Sequence, residues 1–199
     1  MKIYGISGSP RHQSTEYVLS KALSTLKEEG FEVELFSCAD KSIAPCKHCN
    51  YCMSHHKECI NKDDMTEVYK GLEEADGIIF ATPMHSGGVS AEIVSIFERT
   101  RALEAIDLNL LRGKIGMSIA VGGDRDGGQS QAHLEIISYY MIHGIIPVSG
   151  GGFGSNLGAS FWSQDSLDKT KDDEYGFRSL ERTVNEFKEF LNKIRPAMK

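Results

Sequence analysis

The stretch KIYGISGSPRHQSTEYVLSKALSTLKEEGFEVELFSC, residues 2–38, decides how this chain is built. Residues 2–6 are a short apolar run and predict a strand. The run ends in SGSPRHQST, a loop crowded with turn residues. TEYVLSKALSTLKEEG then sets Leu19, Leu23 and Leu26 at helical spacing, with Gly30 placed for a C-cap. FEVELFSC follows as a second strand.

The same alternation continues outward, after one interruption by a cysteine-rich loop. Residues 63–75 (DDMTEVYKGLEEA) predict a helix with acids in its first turn, where the macrodipole favours them. DGIIFATP is an apolar strand stopped by a proline, SAEIVSIFERTRALEA a helix, and GKIGMSIAVGG the next strand. Residues 129–143 predict a helix closed by Gly144, and IIPVSG a fifth strand. A polar, glycine-rich connection over 150–179 is long enough to hold a short helix or to cover a neighbouring subunit. It leads to a last amphipathic helix with Leu180, Val184, Phe187, Leu191 and Ile194 on one face.

Five short apolar strands separated by helices predict an α/β three-layer fold with a parallel sheet covered on both faces. The flavodoxin-like order 2-1-3-4-5 is the most economical, and we expect a single domain over residues 1–199. Ligands in such sheets bind beyond the carboxyl ends of the strands. Hydrophobic residues at 40% and charged ones at 25% suit a globular protein with a real core. A formal charge of −6 with no basic patch argues against nucleic acid and against an anionic membrane as partners. No apolar stretch reaches the roughly 18 residues of a membrane span, and the start of the chain has no signal-peptide pattern. We therefore expect a cytoplasmic protein whose thiols are kept reduced.

Three loops fall at one end of the predicted sheet. The first carries Ser9, Arg11, Ser14 and Thr15, hydroxyls and a cation at a helix start. That combination suits a phosphate, although a plain capped helix would look similar. It is neither a Walker loop nor a GxGxxG fingerprint. The second loop runs Thr82-Pro83-Met84-His85-Ser86-Gly87-Gly88 and the third Gly122-Gly123-Asp124-Arg125-Asp126-Gly127-Gly128. Their glycines let backbone approach a flat ligand. No catalytic acid or base stands out, though Asp124, Arg125 and His85 are well placed.

The interrupting loop, residues 45–62, has the spacing C-x2-C-x2-C-x6-C at Cys46, Cys49, Cys52 and Cys59. A reduced compartment and a leftover Cys38 argue against disulfides. Three thiolates in a C-x2-C-x2-C run can wrap one face of a [4Fe–4S] cubane, with Cys59 returning as the fourth ligand. Zinc more often uses separated knuckles, though His48, His55 and His56 keep it open, as are unligated or redox-switch thiols. Cys38, at a strand end, reads as a small buried hydrophobe.

The loops SGSPR with ST, TPMHSGGVSA and GGDRDGGQ, together with DDEYGFRSLER near the C-terminus, resemble NAD(P)H-dependent FMN reductases of the flavodoxin-like superfamily. The resemblance implies non-covalent FMN: phosphate on Ser9, Arg11, Ser14 and Thr15; isoalloxazine against Pro83, Met84, His85, Ser86 and Gly87. Gly123, Asp124, Arg125, Gly127 and Gly128 would meet its pyrimidine edge. His85 stands where many relatives have an aromatic residue, Val94 where they often have a lysine, and Glu98-Arg99 where they often have Asp-Arg. With the four-cysteine motif added, the chain resembles the iron–sulfur flavoproteins of methanogens and other anaerobes. That implies an oxidoreductase with FMN and a [4Fe–4S] cluster on Cys46, Cys49, Cys52 and Cys59. It also implies a homo-oligomer, a dimer or a tetramer, in which one chain's cluster lies near a neighbour's FMN. Ferredoxin is the implied electron donor, and oxygen or peroxide the candidate acceptors. An NAD(P)H-dependent flavin or quinone reductase with a structural cysteine loop is the alternative, and a redox or metal sensor the second.

Overall fold

Alternating apolar residues along the strands feed two separate cores, one on each face of a single sheet. The computed structural model describes residues 1–194 and resolves β1 (Lys2–Ser7), α1 (Ser14–Glu28), β2 (Glu32–Ser37), α2 (Tyr51–His55), α3 (Met65–Glu74) and β3 (Gly77–Pro83). These are followed by α4 (Ala91–Arg99), α5 (Arg101–Ile106), β4 (Ile115–Gly122), α6 (Gln129–Ile142), β5 (Ile146–Pro147), β6 (Ala159–Trp162), α7 (Leu167–Lys171) and α8 (Glu174–Ile194). The sheet order is β2-β1-β3-β4-β5 with every pairing parallel, the flavodoxin-like topology expected from the element order.

On β3, Ile78 and Phe80 face the core built with α3, α4, α5 and α6, whereas Ile79 and Ala81 face the one built with α1 and α8. That two-residue period is the strand's own geometry. Burial on both sides explains why β3 and β4 read as unbroken apolar runs. α1 buries Val18, Leu19, Ala22, Leu23 and Leu26. It closes on Gly30 at φ 86°, with the Phe31 N–H bonded to the Leu26 carbonyl at 3.1 Å. α8 buries Leu180, Val184, Phe187 and Leu191; the Ile194 side chain lies outside the described residues.

Four features depart from the sequence expectations. The fifth strand, expected over 145–150, is only Ile146–Pro147, paired to Ile115–Gly116. The chain then leaves the edge and returns as β6, which pairs with Ile119–Gly122 farther along β4. One sheet position is thus filled by two pieces of chain. His133 on α6 pins the returning piece: Nδ1 meets Ser118 Oγ of β4 at 2.7 Å and Nε2 meets Ser160 Oγ of β6 at 3.0 Å. Burial pushes this imidazole down to about 4, so it sits there neutral. The helix expected over 90–105 divides at Thr100 into α4 and α5. The long polar connection contains β6 in addition to the short helix, α7, that its length allowed for, and the cysteine loop contains α2.

Candidate functional site

At the carboxyl ends of β1, β3 and β4 the chain must turn within a few residues, and these turns build a cleft. The first turn is tight because Gly8 donates to the Ala81 carbonyl at 2.8 Å while Ser90 Oγ donates to the Gly8 carbonyl at 2.7 Å. A Cβ on Gly8 would lie 2.3 Å from Ile93, so only glycine fits. Ser9 Oγ then bonds both the N–H (3.1 Å) and the carbonyl (2.7 Å) of Arg11, folding the loop on itself. α1 begins immediately after. Gln13 holds its cap position without a side-chain hydrogen bond, so the first-turn amides have no side-chain acceptor there. Ser14 and Thr15 are buried, and Ser14 Oγ accepts from Thr170 Oγ1 of α7 at 2.7 Å.

The second turn is a two-residue reversal. His85 and Gly88 exchange backbone hydrogen bonds at 3.1 Å in both directions, with Ser86 at φ 50° and Gly87 at φ 83° between them. Positive φ at both central residues is the condition for this turn, which explains the glycine at 87. The third turn meets the second: a Cβ on Gly128 would lie 2.6 Å from the Gly87 carbonyl oxygen, and Gly128 itself has φ 100°. Gln129 braces this corner, its Nε2 donating to the carbonyls of Asp124 (2.8 Å) and Phe161 (3.2 Å).

The cleft so formed is lined by Ser9, Arg11, Ser14, Thr15, Pro83, Met84, His85 and Gly123 among the residues singled out from the sequence. Ser86, Gly87, Asp124, Arg125, Gly127 and Gly128 lie on the same loops but do not line it. Arg125 turns away and stacks over the Trp162 ring, 4.6 Å from its centroid. Four lining residues were missed: Gln13, Val121, Ser163 and Asp165. Ser163 and Asp165 follow β6, whose four residues are too few to show a strand period in the sequence. A cation, several hydroxyls and an open helix N-terminus at one end suit an anion; Met84, Val121 and Pro83 suit an apolar plane beside it.

The cysteine loop is attached elsewhere, through residues 98–105 of α4 and α5. At its neck the Arg99 guanidinium, buried with 2% exposure, grips Asp63 with two bonds, 2.9 and 3.0 Å, and the Ala44 carbonyl at 2.8 Å. Asp63 in turn accepts the Ala44 N–H at 3.1 Å, so one pair closes both ends of the loop. Burial opposes the Asp63 charge, but the Arg99 fork overrides it and holds the carboxyl below its usual range. Glu98 accepts the Cys46 N–H at 3.1 Å, Arg101 donates to Asn50 Oδ1 at 2.9 Å, and His56 Nδ1 meets the Ala105 carbonyl at 2.9 Å. The Glu98-Arg99 departure from the reductase pattern therefore has a local use.

Within the loop, His48, Asn50 and His56 take left-handed conformations at φ 50°, 59° and 49°, which wrap the chain tightly. All four loop thiols are free; Cys49 is exposed, and Cys46, Cys52 and Cys59 are partly buried. The His48 N–H donates to Cys46 Sγ at 3.4 Å. Among the described residues, no three His, Cys, Asp or Glu side chains are drawn together as a ready-made metal site. Cys38 is buried apart from them, its thiol pushed up to about 12 by burial and then by the Glu92 charge.

No helix among the described residues is long and apolar enough to cross a membrane. The fold is shared with RosB, solved with a bound 8-demethyl-8-formylriboflavin-5'-phosphate (TM-score 0.76, 15% identity, 98% of this chain and 81% of that one). It is shared too with a WrbA-like flavodoxin protein of Agrobacterium tumefaciens (TM-score 0.62, 15% identity, 95% and 98%). The sequence model described as NADPH-dependent FMN reductase matches residues 1–159. An iron–sulfur flavoprotein of Archaeoglobus fulgidus is 55% identical over 96% of this chain and 98% of its own length. One of Methanocaldococcus jannaschii is 48% identical over 98% and 99%. The chain belongs to the NADPH-dependent FMN reductase family, a family of flavodoxin-like oxidoreductases, and within it to the iron–sulfur flavoproteins.

Proposed function

We propose that this oxidoreductase carries FMN in the cleft and a [4Fe–4S] cluster on the cysteine loop, joining a one-electron donor such as ferredoxin to an acceptor, with oxygen and peroxide as candidates. The observation that carries the proposal is the coexistence, in one chain, of the open α1 terminus facing the cleft and four free thiols on a loop clamped at its neck.

The residues lining the cleft suit a flavin nucleotide by their chemistry. Arg11, Ser9, Ser14 and Thr15 would hold its phosphate at the helix terminus. The ring would lie against the Pro83 to Gly87 turn, of which Pro83, Met84 and His85 line the cleft. The loop fits the cluster by its donor set of four thiolates, and by the amide already aimed at Cys46 sulfur. When bound, the cluster supplies one-electron chemistry and the flavin one- or two-electron chemistry. The protein's own part is to bind, orient and exclude: Arg11 neutralises phosphate charge, and residues 98–105 hold the loop's shape. A cluster held by four thiolates suits a reducing compartment, which supports a cytoplasmic location. Exposed Leu134, Met141 and Ile142 along α6 support a homo-oligomer, a dimer or a tetramer.

Anaerobic purification with iron, sulfide, zinc and flavin analysis tests this. About four irons and one FMN per chain are expected; absence of flavin overturns the proposal. The match of residues 1–159 to the NADPH-dependent FMN reductase model supports a second reading, an NAD(P)H-dependent flavin or quinone reductase with a structural cysteine loop. Zinc together with FMN in the same analysis would establish it.

A further inference from the structure

β6 and the third cleft loop each divide their side chains between two hollows. Ser163 and Gly123 line the cleft, whereas Trp162 and Arg125 line a second cavity. Successive residues of an extended chain point to opposite sides, so neighbours in sequence serve different spaces. The two hollows therefore share a wall. Gln129 braces it from the second cavity, its Nε2 donating to the carbonyls of Asp124 (2.8 Å) and Phe161 (3.2 Å).

The second cavity has a volume of about 360 Å³, the size of a small-molecule site. Phe161, Trp162 and Tyr175 give it aromatic walls. Its charged groups differ in what they have left to offer. Both carboxylate oxygens of Asp173 are engaged, one accepting the Trp162 N–H at 2.8 Å and the other the Gly176 N–H at 2.9 Å. The Arg125 guanidinium lies over the Trp162 ring, 4.6 Å from its centroid, and makes no hydrogen bond among the described residues. Its N–H groups are open to a ligand. Its charge, however, is balanced by Asp173, and an adjoining hollow of about 270 Å³ adds Asp172 and Glu174 against Lys169. Three acids against two bases favour no anion.

The rim points the same way. Gly154 lines the cavity, and Phe153 before it is 100% exposed at φ 65°. Arg182 holds it there by donating to the carbonyls of Gly152 (2.6 Å) and Phe153 (2.8 Å). A phenyl ring kept in water beside an aromatic hollow gains cover when a flat molecule enters.

We propose that this cavity binds an uncharged quinone as the protein's two-electron acceptor, its ring against Trp162 and Tyr175 and a carbonyl oxygen accepting from Arg125. The acceptor role rests on FMN in the cleft across the shared wall; the binding itself does not. On reduction the quinone takes up two electrons and two protons from the reduced flavin and leaves as the hydroquinone, with the flavin returned to its oxidised form.

The test titrates 2,3-dimethyl-1,4-naphthoquinone, whose substituted ring does not add to cysteine thiols, into the oxidised anaerobic holoprotein. Calorimetry gives the affinity, and the fluorescence of Trp162, the chain's single tryptophan, reports where the ring lies. We expect saturable quenching with one quinone per chain. R125M keeps apolar cover over Trp162 but removes the donors, and should weaken binding about tenfold, as for loss of a charge-assisted bond. Y175A should weaken it as well while flavin content holds, since Tyr175 does not line the cleft. The hydroxylated analogue 2-hydroxy-3-methyl-1,4-naphthoquinone, of similar size but ionised at neutral pH, should bind less tightly. Tighter binding of that anion overturns the uncharged class. Absence of saturable binding, or unchanged affinity in both variants, overturns the site. So does release of FMN by the quinone, which would put the ring in the cleft, or dissociation of the oligomer by Y175A in gel filtration, which would mean that another copy of this chain fills the cavity. Flavin analysis of the same samples is independent: unmodified protein without FMN defeats the FMN proposal, and Trp162 quenching still decides the site.

Discussion

Replacing Arg99 with Met removes the charge that closes the cysteine loop while keeping much of the side chain's apolar bulk. The Arg99 side chain is almost fully buried and makes two bonds to Asp63 and one to the Ala44 carbonyl; the Asp63 side chain is only 13% exposed. Removing one partner of a buried pair costs about 3–5 kcal/mol, because the other charge is left desolvated. Asp63 keeps the N–H groups of Ala44 at 3.1 Å and Met65 at 3.3 Å, which places R99M near the lower end, about 3 kcal/mol. Against a total stability of about 5–15 kcal/mol, that is a large fraction. Urea unfolding of R99M, D63N and R99M/D63N, each without cofactors, should give a coupling of about 2–3 kcal/mol, within the range for contacting residues. The coupling should persist at high salt, because a dry pair is poorly screened. The pH dependence has a definite sign. A carboxyl depressed on folding contributes stability above its unfolded pKa of about 3.9 and loses it as pH falls through the lower folded value. The unmodified protein should therefore lose stability below about pH 4 more steeply than R99M. Iron loading of R99M should drop while flavin loading holds, since the cleft loops make none of the bonds at the neck. A wild-type unfolding midpoint together with full iron content would refute the neck as the element that organises the loop.

Other expectations follow from the same geometry. Cys49→Ser should abolish the iron–sulfur absorbance and leave FMN bound; loss of flavin from a still-folded protein would show that the two sites are not independent. Arg11→Ala should weaken FMN binding about tenfold or more without changing iron content, as for loss of a charge-assisted bond of about 1.5–3 kcal/mol; unchanged affinity in a flavin titration removes Arg11 from the phosphate site. His133, buried at about 4 against an ordinary 6.5, binds its proton less readily in the folded state. Stability should rise with pH between these values, by about 3 kcal/mol in all, and be flat in this respect above 6.5. His133→Asn should flatten that slope in urea melts at pH 4.5 and 7, and an identical slope in both proteins would argue that the imidazole is not buried neutral.

Much of this arrangement could be read along the chain because its signals are local. Leu19, Leu23 and Leu26 face one way by helical period alone, and the apolar runs of β3 and β4 declare strands buried on both faces. The loops at the strand ends carry their own turn chemistry, as the His85–Gly88 reversal does. The edge position beside β4 was illegible because it is assembled from β5 and β6, eleven residues of chain apart (148–158), each too short to show a period. Ser163 and Asp165 were missed as cleft residues for the same reason: their place depends on β6 returning to β4.

By itself, the sequence determined the strand–helix alternation, the sheet order it allows, the polar loops at the carboxyl ends and a compact run of cysteines. These rest on spacing between near neighbours, which a linear text preserves. Tertiary structure alone decided that Arg99 closes a loop whose ends, Ala44 and Asp63, lie 55 and 36 residues away in the chain. It also decided that Arg125 turns from the cleft toward Trp162, and that His133 ties β6 to the sheet. Partners of that kind are chosen by burial, since a charge or an imidazole removed from water must bond whatever the fold brings beside it.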